Sequence, residues 1–550
     1  MSCSGKSAIL LLIALAGACR AAVNLEVVDA LDLPCEVSAL KPLARAETAL
    51  AVGEYESVAL LVTAGESLDG EALRVRGLPR GVELKMRLAA PYRRMLRGGK
   101  EVTEPYMLEP VSTVSLKSGE KAVYWLTFHA GPQARPGRYA VTVSLRDGAA
   151  RLALVVRPFR LRRDPKLFYG AFCGSNDKAI TFRHMQDLHE RGFDALQFFW
   201  GSVSMPIEND NGRMKVDFSF VDQWMADFRR AGLRGPVVWS LGNDASSHME
   251  NRLSEVFQIP RPPGVERDGK RLNFSDIHHP ELNRRLRELM LAIRERAAEK
   301  KWPEIVFLIY DEPTERLMEE HENRYKFIKS FWPELRIYGV TMDRIAWAKA
   351  INHMVDILVA NGDFEAIRKL ADDSGKPFWL YGSASSRDQA ALRHSYAWRP
   401  WQHRAEAVWF WAYNYHAGDP YDDFDSRGPD SSMAMVWPSK TPDGPVICSV
   451  SWDGMREAVD DMAYVQTLEW MLAQAKNPRA RQIESELLAL KKAIPSGARS
   501  RVLGGDAHDR VEQADPKVFV RNSRDRLATW IAELLQSERN LFGEVRVRKP

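Results

Sequence analysis

The 550-residue chain is predicted to contain an N-terminal β-sandwich, a (β/α)8 barrel and a short helical C-terminal extension. Three patterns predict this order. Residues 24–160 carry short alternating apolar segments, residues 167–476 alternate apolar runs with helical segments, and residues 477–550 are polar and partly helical. A chain of this length exceeds what one hydrophobic core usually holds, which agrees with several domains.

The sandwich prediction rests on alternation with a period of two. Residues 57–62 (SVALLV) and 139–145 (YAVTVSL) alternate in this way, and turn signals such as Asp147-Gly148 separate such runs. Short strands with turns at this spacing are typical of antiparallel sheets that pack face to face.

The barrel prediction rests on repeated strand and helix patterns. The predicted strands are residues 168–173, 194–201, 236–242, 304–310, 335–342, 356–361, 377–382 and 407–414, and the clearest helices are 217–231, 280–300, 315–331 and 453–475. Residues at both odd and even positions of these strands are apolar, as expected for parallel strands that are buried on both faces. A doubly wound sheet is the alternative, but it usually carries a Gly-rich phosphate turn after its first strand, and residues 172–175 (FCGS) are no such turn.

The N-terminus has the pattern of an export signal, predicted for residues 1–21. Lys6 precedes an apolar run, residues 8–16, that is too short to span a bilayer. Residues 16–18 (AGA) fit a cleavage site before Cys19. A lipoprotein is the second interpretation, although alanine stands three positions before Cys19 where that motif favours leucine. We expect a periplasmic or extracellular protein, with lipid anchoring through Cys19 as the alternative.

Composition argues against several classes of function. The chain has 77 Lys+Arg and 73 Asp+Glu, with no basic block, so nucleic acid is not an expected partner. No later stretch is long and apolar enough for a transmembrane helix. Cys35, Cys173 and Cys448 fit neither a disulfide framework nor a zinc site, and buried free thiols are expected. Neither a metal nor a cofactor is predicted, and the oligomeric state is left open.

Candidate catalytic residues follow the fourth predicted strand. Active sites of such barrels lie at the C-terminal ends of the strands, and there Asp311 and Glu312 come directly after an apolar run. A structural alternative is that the pair caps the next helix, with Pro313 at its first position. A helix end favours ionised carboxylates, whereas a neighbouring like charge and partial burial retain one proton. Environments that push the pKa values of two neighbouring carboxyl groups apart suit a general acid and its ionised partner.

The seventh predicted strand ends without a carboxylate, at Tyr381-Gly382-Ser383. Many retaining glycosidases need a second carboxylate about 5 Å from the acid as nucleophile, whereas some use the 2-acetamido oxygen of the substrate. In that chemistry one carboxylate orients the acetamido group and its neighbour protonates the leaving oxygen. The adjacent Asp311 and Glu312 could supply both, so a glycan is the expected substrate.

Aromatic residues end the eighth predicted strand. Residues 409–415 read WFWAYNY, and alternation places Trp409, Trp411, Tyr413 and Tyr415 on one face. If that face looks into the barrel mouth, the last three could wall a sugar pocket. Ordinary barrel core is the alternative, and for Trp409 it is the favoured interpretation.

Further candidates follow other strand ends. Tyr381, Asn243 and Asp343 are predicted to contact substrate, and weaker candidates are Asn176, Asp244, Asn361 and Asp363. Asp419, Asp422 and Asp423 are interpreted as a solvated acidic loop rather than a cation site. His278, His279 and His416 lack a metal-ligand spacing.

The residues that end the fourth strand, Tyr310-Asp311-Glu312-Pro313, resemble glycoside hydrolase family 123, the β-N-acetylgalactosaminidases. Residues 409–421 (WFWAYNYHAGDPY) are similar to the aromatic-rich last strand of that group. Residues 451–464 resemble its closing helix with the pattern R-E-A-x-x-D-x-x-Y, a half also shared with domain of unknown function 4091.

The resemblance implies a retaining, substrate-assisted hydrolase that removes β-linked N-acetylhexosamine, chiefly N-acetylgalactosamine, through an oxazoline-like intermediate. It implies that Asp311 positions the acetamido group and that Glu312 acts as general acid and then base. Residues 427–437 lack the Gly-Asp-Gly run common in that group, which leaves the identity of the sugar open.

Two alternatives remain at this stage. One is a glycosidase of the same fold that acts on a sugar without an acetamido group, with Asp343 or Asp363 as nucleophile or base. The other is a glycan-binding protein without catalytic activity. Fold alone does not decide between them, because barrels host many chemistries.

Overall fold

The computed structural model describes residues 23–542, apart from 96–100, 174–180, 200–204, 243–247, 264, 268–269, 273–275, 312–317, 342–343, 384–387, 417, 426–433, 442–443, 476 and 496–515. It contains a strand-rich N-terminal region, a closed barrel of parallel strands and C-terminal helices. The predicted fold class is therefore confirmed. In the described parts of the chain, no helix has the length and apolarity needed to cross a membrane.

The N-terminal region consists mainly of antiparallel strands in two facing sheets. Its strands are β1 (Val23–Val28), β2 (Glu47–Val52), β3 (Tyr55–Ala64), β4 (Leu68–Glu71), β5 (Arg74–Arg76), β6 (Val82–Met95), β7 (Glu101–Pro110), β8 (Val114–Leu116), β9 (Lys121–Ala130), β10 (Gly137–Leu145) and β11 (Gly148–Arg160). One sheet contains β1-β3-β9-β6-β7 and the other β2-β11-β10-β5, where β2 pairs with β11 in parallel. Strands β4 and β8 form a separate two-stranded sheet. Leu60 and Leu126 of the first sheet and Leu154 of the second share one buried core, as the alternation predicts.

The next strands form the barrel and two small hairpins. They are β12 (Phe168–Cys173), β13 (Ala195–Phe199), β14 (Ile207–Asp210), β15 (Arg213–Val216), β16 (Val237–Ser240), β17 (Val265–Arg267), β18 (Lys270–Leu272), β19 (Ile305–Leu308), β20 (Arg336–Val340), β21 (Ile357–Ala360), β22 (Phe378–Ser383) and β23 (Ala407–Trp411). The strands β12, β13, β16 and β19 to β23 close the barrel, and each lies within a predicted strand or overlaps one. The hairpins β14–β15 and β17–β18 lie in connections and were not predicted.

Two tryptophans fill much of the barrel interior. Trp379 and Trp409 stack with ring centroids 6.0 Å apart, and both are almost fully buried. Gly170 on β12 makes room for them, because a Cβ at this position would lie 2.4 Å from the Trp409 ring. The favoured interpretation of Trp409 as barrel core is therefore confirmed.

The helices cover the outside of the barrel. They are α1 (Phe182–Glu190), α2 (Ser219–Arg230), α3 (His248–Val256), α4 (Pro280–Lys300), α5 (Met318–Lys329), α6 (Ile345–Ile351), α7 (Phe364–Ser374), α8 (Gln389–Arg393), α9 (Arg399–Gln402), α10 (Val450–Leu472), α11 (Pro478–Lys492) and α12 (Pro516–Phe542). Helix α10 begins three residues earlier than predicted because the Ser449 hydroxyl accepts a hydrogen bond from Trp452 N at 3.0 Å. It is buried along most of its length, since α8, α12 and the sandwich pack around it.

The segment between β23 and α10 returns to the sandwich. Its strands β24 (Val436–Trp437) and β25 (Ile447–Ser449) extend the larger sheet to β1-β3-β9-β6-β7-β25-β24, with Cys448 opposite Leu108. The sandwich and the barrel thus share one sheet. The sequence patterns did not predict this connection.

A buried carboxylate joins the two parts below this sheet. Asp453 on α10 accepts hydrogen bonds from Arg87 Nη2 and Trp125 Nε1 of the sandwich, each at 2.7 Å, and from Arg191 Nη2 at 3.1 Å. Burial alone would raise the pKa of Asp453, but Arg87, Arg456 and Arg191 outweigh it and hold that pKa well below its usual range. The charge is paired on both sides of the domain boundary, so removing either partner would leave a buried ion.

Candidate active site

Asp311 lies at the C-terminal mouth of the barrel. It follows Leu308, the last residue of the fourth barrel strand β19, by three positions and is half-buried. In the described part of the chain, helix α5 begins at Met318. Residues 312–317 lie outside the described residues, so the alternative that the carboxylate pair caps the next helix stays a prediction. Glu312 lies outside the described residues.

An aromatic wall stands on the side of the mouth formed by the first, seventh and eighth strands. We give this name to Phe172, Tyr381, Trp411 and Tyr415. Ring centroids are 4.9 Å apart for Phe172 and Tyr381, 6.0 Å for Phe172 and Trp411, and 5.1 Å for Trp411 and Tyr415. Because the eighth strand of a barrel is diametrically opposite the fourth, the wall and Asp311 lie on opposite sides of the mouth.

The members of the aromatic wall differ in accessibility. Tyr381, Trp411 and Tyr415 are half-buried, whereas Phe172 is almost fully buried behind them. Sequence reasoning missed Phe172. Phe172 lies two residues after Gly170 on β12, so both residues face the barrel interior, and this spacing could have indicated Phe172 as a wall residue.

Tyr413 does not belong to the aromatic wall, and its predicted place on one face with Trp411 is wrong. Its side chain lies in the core outside the barrel, where its hydroxyl donates to Asp187 Oδ2 at 3.0 Å and its ring packs against Trp452 at 5.3 Å. Burial, followed by the charge of Asp187, raises the pKa of Tyr413 well above its usual value. The prediction assumed that side chains continue to alternate between the two faces of a strand, but strand β23 ends at Trp411, two residues before Tyr413.

Other carboxylates near strand ends are engaged in local structure. Asp363 Oδ2 accepts from Ile345 N at 3.2 Å, and Asp388, the first acidic residue after the seventh strand, accepts from Ala391 N at 2.7 Å as the cap of α8. Both carboxylates thus hold backbone N–H groups of neighbouring helices. This placement opposes a role for Asp363 as nucleophile.

The acidic loop after the eighth strand is organised by its own backbone. Asp419 Oδ1 accepts from Tyr421 N and Asp422 Oδ1 from Phe424 N, each at 2.9 Å, while Asp423 Oδ2 accepts from Met95 N of the sandwich at 2.8 Å. No group of three or more His, Cys, Asp or Glu in the described ranges could hold a metal ion. Asp423 is buried, so the expectation of a solvated loop does not hold at that residue.

A family model for the glycoside hydrolase 123 catalytic domain matches residues 175–468. The match covers more than half of the chain and contains the mouth residues described above, apart from Phe172. The chain belongs to glycoside hydrolase family 123. The suggested relation to domain of unknown function 4091 stays a prediction.

Solved structures agree with the family 123 assignment at the level of the fold. A family 123 glycoside hydrolase from Clostridium perfringens, described in connection with glycolipid glycan hydrolysis, superposes with a TM-score of 0.69 at 10% identity, over 94% of this chain and 100% of that one. A family 2 glycosyl hydrolase from Bacteroides cellulosilyticus is more distant, with a TM-score of 0.28 at 12% identity over 72% and 52% of the two chains. Endoglucanase Cel5A from Pseudomonas stutzeri gives 0.34 at 11% identity over 53% and 94%. No curated protein sequence matches the chain.

Several predicted site residues of this family 123 protein lie outside the described residues. They are Glu312, Asn243, Asp343, Asn176 and Asp244. Their roles stay predictions.

A cleft of about 390 Å³ lies away from the mouth, between the sandwich and the barrel. Its charged lining includes Arg87, Arg191 and Arg456, which surround Asp453 at 2.7, 3.1 and 3.8 Å. Because these guanidiniums already pair with buried carboxylates, we interpret the charged lining of the cleft as part of the contact between the sandwich and the barrel. The chemistry expected of family 123 lies at the mouth instead.

Proposed function

We propose that this family 123 glycoside hydrolase removes β-linked N-acetylhexosamine, with N-acetylgalactosamine preferred, by a retaining and substrate-assisted mechanism. Asp311 orients the acetamido group, and Glu312 serves as general acid and then as general base. Family membership and the position of Asp311 opposite the aromatic wall support this proposal.

One observation carries the choice of mechanism. The seventh strand, β22, ends at Ser383, and the first carboxylate after it, Asp388, caps helix α8. A retaining glycosidase without a protein nucleophile needs one from the substrate, and the acetamido oxygen is such a group. Asp363, the other nucleophile considered, holds Ile345 N.

The proposed reaction has two steps. In the first, the acetamido oxygen attacks the anomeric carbon while Glu312 gives its proton to the leaving oxygen, so that an oxazolinium ion and a free alcohol form. Asp311 accepts a hydrogen bond from the acetamido N–H and stabilises its developing positive charge. In the second, water attacks the anomeric carbon from the side that the alcohol left, Glu312 takes its proton, and the bond from the anomeric carbon to the oxazolinium oxygen breaks, which restores the acetamido group.

The aromatic wall is proposed to hold the sugar. The half-buried faces of Trp411 and Tyr415 offer apolar surface for the C–H side of a pyranose, and Tyr381 adds a hydroxyl group. The Clostridium structure is described in terms of glycolipid glycans, so glycoconjugate glycans are the proposed substrate class.

The test is hydrolysis of a chromogenic β-N-acetylgalactosaminide by the chain without residues 1–21. We expect Glu312→Gln to lower kcat at least 100-fold, because general acid catalysis contributes about 10²–10⁴-fold, and Asp311→Asn to lower it by a similar factor. The matched control is Asp388→Asn, which retains a good helix cap and should change kcat less than about 2-fold.

Substrate variation separates the mechanisms. A trifluoroacetamido substrate carries a weaker nucleophilic oxygen and should react at least 10-fold more slowly if the substrate assists. The gluco epimer and a plain β-galactoside complete the series. Turnover of the plain galactoside, or equal rates for the two amides, would contradict the proposed mechanism.

We further propose that the protein is exported after cleavage of residues 1–21, with lipid attachment at Cys19 as the alternative. The charged start, short apolar run and small residues before Cys19 support export. Fractionation of expressing bacteria, with Cys19→Ser as the comparison, distinguishes the two. Membrane retention that depends on Cys19 would establish the anchor, and release of both forms would establish simple cleavage.

A further inference from the structure

Asn361, at the end of the sixth barrel strand, stands out among the strand-end polar residues. Its side chain is 3% exposed, and among the described residues its amide oxygen has no hydrogen-bond partner. Asp363, two residues later, is by contrast bonded to a backbone N–H. A buried amide atom without a partner is rare in folded proteins and calls for an explanation in structure or function.

The side chain of Asn361 points into the barrel. Asn361 follows Ala360, the last residue of β21, directly, so the strand pleat places it on the face of Ile357 and Val359, which both belong to the inner core. The same rule holds at two other strand ends. Leu241 and Ile309 directly follow β16 and β19, and both lie in the outer core as alternation requires.

The strand register places Asn361 beside the aromatic wall. Ala360 on β21 pairs with Leu380 on β22, so the next residues along the two strands, Asn361 and Tyr381, lie side by side. Tyr381 is half-buried at the mouth, and its ring touches Phe172. The unpaired amide oxygen therefore belongs to a residue at the edge of the space where the sugar is proposed to bind.

We propose that the Asn361 amide hydrogen-bonds the N-acetylhexosamine ring held at the mouth and is a sugar-recognition residue of this enzyme. The inference rests on the proposed function. A carboxamide can donate and accept, so it suits a ring hydroxyl or the acetamido group. The binding energy comes from pairing an atom that the free protein leaves unpaired, a design that rejects ligands lacking the matching group.

The protein offers a matched control in Gln197. It is also a buried carboxamide that faces the barrel interior, on the side of Ala195, and neither of its amide atoms has a hydrogen-bond partner within the part of the chain that the structure describes. Strand β13 continues two residues beyond it to Phe199, so it lies deeper than Asn361, which stands one residue past its own strand. Gln197 thus provides a control for the loss of a buried amide that lies away from the mouth of the same barrel.

The experiment compares Asn361→Leu, which preserves the side-chain shape, with Gln197→Met. We expect both variants to melt at the wild-type Tm or a few degrees above it, because each removes an unpaired buried amide. Only Asn361→Leu should lower kcat/KM for the β-N-acetylgalactosaminide, by about 10- to 100-fold. A Tm drop for Asn361→Leu that Gln197→Met does not share would assign a structural role and overturn the proposal, as would kcat/KM within 2-fold of wild type.

Direct binding keeps this test separate from the test of catalysis. If the wild type hydrolyses no acetamido sugar, calorimetry with free N-acetylgalactosamine, N-acetylglucosamine and galactose replaces the rate measurement. A Kd at least 10-fold weaker in Asn361→Leu supports recognition by Asn361 although the catalytic proposal has failed. Equal Kd values, or no binding of any of the three sugars by the wild type, would overturn it.

Discussion

Replacing Arg524 by methionine is expected to loosen helix α12 from the rest of the protein. The Arg524 side chain is 7% exposed and reaches four carboxylates. Its Nη1 lies 2.6 Å from Glu457, 2.8 Å from Glu56 and 3.5 Å from Glu54, and its Nε lies 2.6 Å from Asp461. One guanidinium thus connects α12 to both α10 and the sandwich.

The magnitude follows from the charges that share this space. Among the described residues, five carboxylates face three guanidiniums: Glu54, Glu56, Glu457, Asp460 and Asp461 against Arg393, Arg456 and Arg524. Methionine keeps most of the volume but removes a cation from beside Glu457 and Asp461, the two carboxylates of this group whose pKa values are lowered. Breaking a buried pair from one side costs about 3–5 kcal/mol, which corresponds to a Tm drop of roughly 3–5 °C for a chain of this length.

The pH dependence has a definite sign. Burial favours the neutral forms of Glu457 and Asp461, but Arg524 with Arg456 or Arg393 outweighs it and lowers both pKa values. Such groups stabilise the fold above their unfolded pKa, and that stability is lost as pH falls through the lowered pKa. Burial raises the pKa of Glu54 to about 8, so its protonated form stabilises the fold at acidic pH and this contribution is lost as pH rises through about 8. Without Arg524 the pKa values of Glu457, Asp461 and Glu54 all rise. The loss of folding stability in the variant, relative to the wild type, therefore grows as pH increases.

Thermal unfolding at pH 5.0 and pH 8.5, followed by circular dichroism, measures both effects. The matched control is Arg521→Met on the same helix, whose half-exposed side chain pairs with Asp29 and should be worth less than about 1 kcal/mol. We expect a large Tm drop for Arg524→Met that is greater at pH 8.5. A drop no larger than that of Arg521→Met, or one that is greatest at pH 5.0, would refute the role of Arg524 as a buried charge partner.

Three further substitutions test the barrel interior and its mouth. Gly170→Ala should lower stability by about 1–3 kcal/mol in urea unfolding, because its Cβ would meet the Trp409 ring at 2.4 Å; wild-type stability would show that the two tryptophans can shift. Tyr413→Phe should lower the free energy of unfolding by about 1.5–3 kcal/mol, because the hydrogen bond to Asp187 is lost, and should leave KM unchanged. Trp411→Ala should raise KM at least 10-fold. A raised KM in Tyr413→Phe would show that Tyr413 contacts the sugar after all.

The barrel strands were predictable because each is a short apolar run buried on both faces. The predicted run 168–173 coincides with β12, and helix 280–300 coincides with α4, where Pro280 opens the first turn and Lys301 closes the helix in the left-handed region. These signals are local. They survive in the fold because the tertiary contacts reinforce the same periodicity.

The errors arose where a local pattern was extended beyond its element. Alternation assigns Tyr413 to the face of Trp411 only if the strand continues, and β23 ends at Trp411. Nothing in residues 436–449 alone indicates pairing with β7, since that register depends on a sheet formed more than 300 residues earlier. The unpaired state of Asn361 is equally invisible in sequence, because it depends on which groups other strands bring near it.

The sandwich is best understood as part of the structure that supports the aromatic wall. The chain that follows Trp411 and Tyr415 reaches the sandwich at Trp437, whose ring packs edge-on against Tyr92 and Tyr106 at 5.4 and 5.7 Å. On the way, His416 Nε2 lies 2.8 Å from Val436 O, which joins the end of the wall to β24. Because the same sheet buries the charge of Asp453 on α10, a barrel without the sandwich would lose both the support of the wall and the partners of a buried carboxylate. The two parts therefore form one functional unit, in which the N-terminal sheets hold the last barrel connection in the shape that the mouth requires.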